Sequence, residues 1–197
     1  MFLNKTRFKK WMKNAYQNEG LTAGMIYGGL VLSGTGWIAW TEKGYIPNWV
    51  KAAVIELVGE LPKEETVFKA QKNELLQYEI GENPIYDLPL RFLEANVPFW
   101  VTPVTYQSDY NTYRLLQNCR TKQIYFLAEG FYEIFDLSEL TQEEGSPIGP
   151  SARDPEGEFL YWKSAHAALA VRQSIEAADR HRIREHLETI NFQKEGD

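Results

Sequence analysis

The amino-acid sequence predicts an α+β protein whose sheet is mostly antiparallel and built from hairpins, flanked by helices and followed by a helical C-terminal segment. Three observations lead there. Short runs rich in aromatic and β-branched residues are separated by turn-forming residues, which is strand and hairpin patterning. Two other stretches, 6–17 and 48–58, carry apolar residues at helical spacing. Hairpins dominate the order of elements, which suits antiparallel pairing better than the long crossovers of a parallel sheet.

Taken in order, residues 6–17 form an amphipathic helix. Phe8, Trp11, Met12, Ala15 and Tyr16 make one stripe, Thr6 is placed to cap it, and Gly20 ends it. Residues 24–32 are so apolar that periodicity cannot separate strand from helix. The Ser33-Gly34-Thr35-Gly36 turn and the β-like return at 37–41 favour a buried strand. Residues 48–58 are the clearest helix, capped by Asn48 and stopped by Gly59 and Pro62. Residues 66–70 and 75–80 pair across a turn at 71–74. Asp87 caps a short helix running to Asn96, with Pro89 in its first turn. Residues 99–106 are a strand that Pro103 confines to an edge or a bulge.

Helix is expected for 110–119, and a second hairpin for 123–128 with 131–135, joined through Glu129-Gly130. Residues 138–158 are a connector rich in Pro, Gly and acid, and 159–190 read as one bent helix or two. The organisation is then a body over 1–137, a connector over 138–158, and a helical segment over 159–197 packed on the body.

Composition sets bounds on function. With 197 residues, 44% hydrophobic and 14% aromatic, the chain has ample surface to bury. A single cysteine, Cys119, excludes an internal disulfide framework. The net charge of −6 argues against direct nucleic-acid binding. The charge is uneven: residues 1–18 carry five bases and no acid, whereas residues 51–160 carry nine bases and nineteen acids. An acidic middle attracts a basic partner.

Residues 20–41 contain no charge and follow a basic stretch, as in a membrane anchor. Its glycines and the turn at 33–36 interrupt the unbroken apolar run that a span requires. With no cleavage-site pattern after it, a soluble cytoplasmic protein is the expectation.

Several constellations bear on chemistry. Gly34-x-Gly36-x-x-Ala39 comes after an apolar run and matches a dinucleotide-binding turn, with Glu56 about twenty residues on. The chemistry needs a helix starting at that loop, and Lys43-Gly44 and Pro47 leave little room for one. Cys119 beside Arg120 is a candidate thiolate if a histidine comes near, yet a plain thiol is the simpler reading. His181 and Glu185 share a helix face but sit among charged pairs such as Arg184 and Glu188, the pattern of a solvated helix. His186 points elsewhere, and His166 among alanines suits packing. Asp154-x-Glu156-Gly157-Glu158 lacks the rest of a calcium loop.

Trp100, Tyr125, Phe131 and Tyr132 extend an aromatic group suited either to a core or to an interface. The expectation is a non-catalytic, acidic protein-binding module, possessing no cofactor and no metal, that inhibits or regulates a basic, nucleic-acid-handling partner. Its contact residues would be Tyr106, Asp109, Tyr110, Tyr113, Glu129 and Glu133. The alternatives are a nucleotide-binding enzyme using Gly34 and Gly36, and an N-terminally anchored membrane protein.

Overall fold

The structure, a computed structural model, describes residues 1–79, 83–108, 111–138, 145–154, 157–174 and 181–195. The fold is α+β. Helix α1 (Lys5–Gln17) precedes a meander of β1 (Leu21–Ile26), β2 (Gly29–Gly34) and β3 (Trp37–Glu42). Helix α2 (Asn48–Val58) leads to β4 (Val67–Ala70) and β5 (Gln77–Glu79), and α3 (Leu88–Glu94) leads to the long β6 (Val97–Gln107). Then come β7 (Thr112–Asn118), β8 (Ile124–Ala128), the short α4 (Glu129–Tyr132), β9 (Ile148–Ala152), β10 (Phe159–Lys163), β11 (Ala167–Arg172) and α5 (His181–Glu188). Among the described residues the strands join in one sheet, ordered β5-β4-β1-β2-β3-β11-β10-β9-β6-β7-β8, and every pair of neighbouring strands is antiparallel.

Helices cover both faces of the sheet's centre. Alternate residues of the meander, such as Ala23, Leu32 and Ala39, join a core with Phe8 and Met12 of α1 and Val50 and Val54 of α2. The intervening residues Val31, Ile38 and Trp40 face a second cluster with Tyr86 and Leu88. Strands buried on both faces carry no charge, which accounts for the uncharged run at 20–41 without a membrane. Among the described residues no helix is long and apolar enough to cross one.

The segment expected as a single strand over 24–32 is in fact two. A tight turn at Tyr27 (φ 52°) and Gly28 (φ 70°) reverses the chain between β1 and β2. Both turn residues are left-handed, the conformation of two-residue hairpins whose twist matches that of the strands.

Other expectations are corrected. The cap of α1 is Asn4, whose side chain accepts from Arg7 N, rather than Thr6, and Asn48 is the first residue of α2 rather than its cap, which is Pro47 with no side-chain hydrogen bond. Residues 110–119 are not helical where described: Tyr113 and Leu115 face one cluster and Leu116 the other, so the strand β7 is covered on both sides. Residues 131–135 do not return as a strand: 129–132 form a helical turn closed by Glu133 N donating to the Glu129 carbonyl, and Arg114 holds that turn through two hydrogen bonds to Glu129 of 2.5 and 3.1 Å with its guanidinium over the Tyr132 ring.

Residues 159–172 are two strands, not helix. Ala168 and Ala170 face the cluster under α3 while Leu169 and Val171 face the main core, and small residues let the helix lie close over the sheet. Burial on both faces overrides the helical preference of alanine. The connector 138–158 contributes β9 to the same sheet. The helical expectation holds further on, at α5.

Candidate functional site

A concavity lies beside the turn that carries Gly34 and Gly36. It is a groove of about 370 Å³ between α1 and the β2–β3 turn. Trp11, Trp37 and Phe131 form its aromatic wall. The Trp11 and Trp37 rings lie 5.6 Å apart, and Phe131 meets Trp11 edge-on at 5.1 Å. Asn14, Asn18, Glu19 and Thr35 form an exposed polar rim. Local sequence builds it. Trp11, Asn14 and Asn18 recur at i, i+3 and i+7 and share one ridge of α1. That helix ends at Asn18, whose amide donates to Asn14 Oδ1 at 2.7 Å and to the Asn14 carbonyl at 2.9 Å. Thr35 Oγ1 donates to Glu19 at 2.5 Å across the groove.

Gly34 is what lets α1 approach this turn. A Cβ there would lie 2.7 Å from the Ala15 Cβ and 2.8 Å from the Trp37 indole nitrogen. The dinucleotide reading of Gly34 and Gly36 is therefore corrected. The chain continues from them into strand β3 instead of a helix, so no fan of helix N-terminal amides faces a phosphate. Glu56, the expected ribose partner, stands exposed in α2.

The residues expected to contact a partner do not gather on one open face. Tyr113 is buried and Tyr106 half-buried, and both rings pack on Phe126. Glu129 is held by Arg114, and exposed Glu133 takes a 2.5 Å ion pair from Arg7. Asp109 and Tyr110 lie outside the described residues. Trp100 is 44% exposed on β6, whereas Tyr125 packs edge-on to Phe99.

The titratable candidates separate as well. Half-buried Cys119 has its thiol pushed above the ordinary range by desolvation, with Lys122 pulling weakly the other way. That opposes thiolate formation. His166 Nδ1 sits 2.6 Å from Glu42, and its ring stacks on Tyr45. His186 is exposed on α5, and the side chain of His181 lies outside the described residues. Arg184 pairs with Glu188 at 3.1 Å.

A smaller hollow of about 110 Å³ is lined in part by Arg91, Asp154, Glu158 and Tyr161. Burial raises the Tyr161 hydroxyl above its usual range, and Arg91 partly offsets it. Glu158 there pairs with Arg172, and Glu156 of the expected acidic loop lies outside the described residues. Among the described residues no cluster of three or more His, Cys, Asp and Glu side chains is placed to hold a metal.

An exposed surface that sequence reasoning missed lies at the β5 end of the sheet. Leu75 is 90% exposed, Tyr78 61% and Ile55 45%. Glu60 accepts from the Tyr78 hydroxyl at 3.3 Å, and Glu56 of α2 and Glu74 of the β4–β5 turn are exposed, as is Lys72 in that turn. The signal was present as acids interleaved with Ile55, Leu75 and Tyr78, but only the sheet order shows that β5 is terminal. Comparison with protein-family models, with curated proteins and with solved structures found no match for the chain.

Proposed function

We propose that the protein is a non-catalytic binding module that docks a basic protein, one that itself handles nucleic acid, on the acidic surface at the β5 end. The observation that carries this reading is the exposure of Tyr78 on a terminal strand and of Leu75 just before it, with Glu60 bonded to the Tyr78 hydroxyl. Apolar anchors within a charged rim are the anatomy of a protein interface. A terminal strand leaves backbone N–H and C=O groups open to pairing with another chain. The glutamates set the sign of the partner, and the net charge of −6 steers it from a distance. Inhibition results if the docked surface of the partner is the one that otherwise holds nucleic acid.

The test is affinity capture from the native host with the full chain and with a Glu56→Lys/Glu60→Lys variant, followed by affinity measurement on the captured protein over a salt series. The expected result is a basic partner whose binding weakens about tenfold or more as salt rises, and which the variant fails to capture. Binding indifferent to salt and to the two substitutions overturns the proposal.

A further inference from the structure

The groove beside α1 carries a charge pattern that its helix alone does not account for. Bases stand in the first turn of α1, none stands in its last turn, and Glu19 comes just after the C-cap. This runs against the helix dipole, whose C-terminal carbonyls are already partly negative. The arrangement lowers helix stability and concentrates negative potential at the end of the groove. Glu19 receives a hydrogen bond from Thr35 but has no ion-pair partner among the described residues, although the Lys69 stem crosses close to the neighbouring Gly20. Along α1, Arg7 pairs with Glu133 and Lys10 stands roughly 13 Å from Glu19, beyond a screening length of about 8 Å; Lys13 stands nearer, roughly 9 Å along the axis, exposed on the helix and outside the groove lining.

The aromatic wall favours the same sign of ligand. Ring faces attract cations, and guanidinium more often than ammonium. The rim adds acceptors: the Glu19 carboxylate and the side-chain carbonyls of Asn14 and Asn18. A planar cation with five N–H donors uses such a rim, whereas a permethylated ammonium has no donor to offer it.

We propose that this groove binds an arginine side chain, its guanidinium laid on Trp11 and hydrogen-bonded to Glu19. The inference rests on the reading of the protein as a module for a basic partner and names a second contact, separate from the β5 end. The volume of about 370 Å³ holds the side chain together with flanking backbone.

NMR titration of the full chain with a single blocked arginine, N-acetyl-arginine-N-methylamide, tests it. The lysine counterpart and tetramethylammonium serve as comparison probes. Arginine is expected to shift the Trp11 indole N–H and the Asn14 and Asn18 side-chain amides saturably, and more strongly than either comparison probe. Glu19→Gln is expected to weaken it about tenfold, the scale of one lost charged hydrogen bond, while Glu94→Gln on α3, exposed and paired with Arg153, leaves it unchanged.

No saturable shift at millimolar probe, an affinity untouched by Glu19→Gln, or tetramethylammonium binding as tightly as arginine each overturns the inference. Because the probe contains no partner, this failure is distinct from failure of the β5-end docking. A groove that ignores arginine leaves the charge-swap capture result standing, and the reverse also holds.

Discussion

Gly34 shows how a single missing side chain shapes the molecule. It resembles a loop that holds a phosphate, yet its backbone needs no left-handed turn, and the constraint on it is the approach of Ala15 and Trp37. Gly34→Ala is expected to cost about 1–3 kcal/mol by overpacking, read as a lower urea midpoint, and to perturb the Trp37 indole. Cys119 gives a prediction with a defined sign. A raised thiol pKa means less thiolate at any given pH. Alkylation of the folded chain at pH 8 should therefore run several-fold slower than that of a free cysteine derivative, and the gap should close as the pH climbs past the raised value. A rate equal to the free thiol at pH 8 would contradict the desolvation assigned to it.

Some residues were legible because their chemistry is local. Asp87 caps α3 by accepting from Leu90 N, and Pro103 lies where the β6–β7 register slips. Arg114, Glu129 and Gln117 were not legible, because their partners are remote or are set only by folding.

Among the elements, the hairpin of β4 and β5 and helix α2 were readable from turn residues and stripes. Strands β10 and β11 were not. An alanine-rich run has helical propensity, and only a covering helix on one face and the core on the other make it sheet. The uncharged stretch at 20–41 was ambiguous for the same reason, since burial on both faces removes the alternation that marks a strand.

The C-terminal segment docks through polar contacts: Glu188 of α5 accepts from Ile124 N, Lys122 Nζ donates to Asn191, and the buried Gln117 holds the residues just after the helix. Gln117 donates to the carbonyls of Lys122 and Ile190 and accepts from Phe192 N. Leu187 and Phe192 fill in beside Tyr113 and Phe126. Gln117→Ala should cost roughly 1–3 kcal/mol and loosen residues 181–195 selectively. Hydrogen exchange would show it as lost protection there with the meander unchanged.

For the whole molecule, β11 lies between β3 and β10 and so joins the N-terminal strands to the rest of the sheet. Leu169 on β11 is fully buried in the main core. Leu169→Ala should lower stability by about 2–5 kcal/mol, and tryptophan fluorescence and circular dichroism should report one shared shift in midpoint. Two separated transitions would mean that the halves melt independently.

The pairing of Thr41 with Ala167 has a consequence for biosynthesis. On the ribosome, β1 to β3 emerge early, but the open flank of β3 stays without its neighbour until Ala167–Arg172 clears the exit tunnel. Until then the nascent chain presents Trp37 and Trp40 on an unfinished margin, the kind of transiently bare apolar surface that favours aggregation before folding is complete.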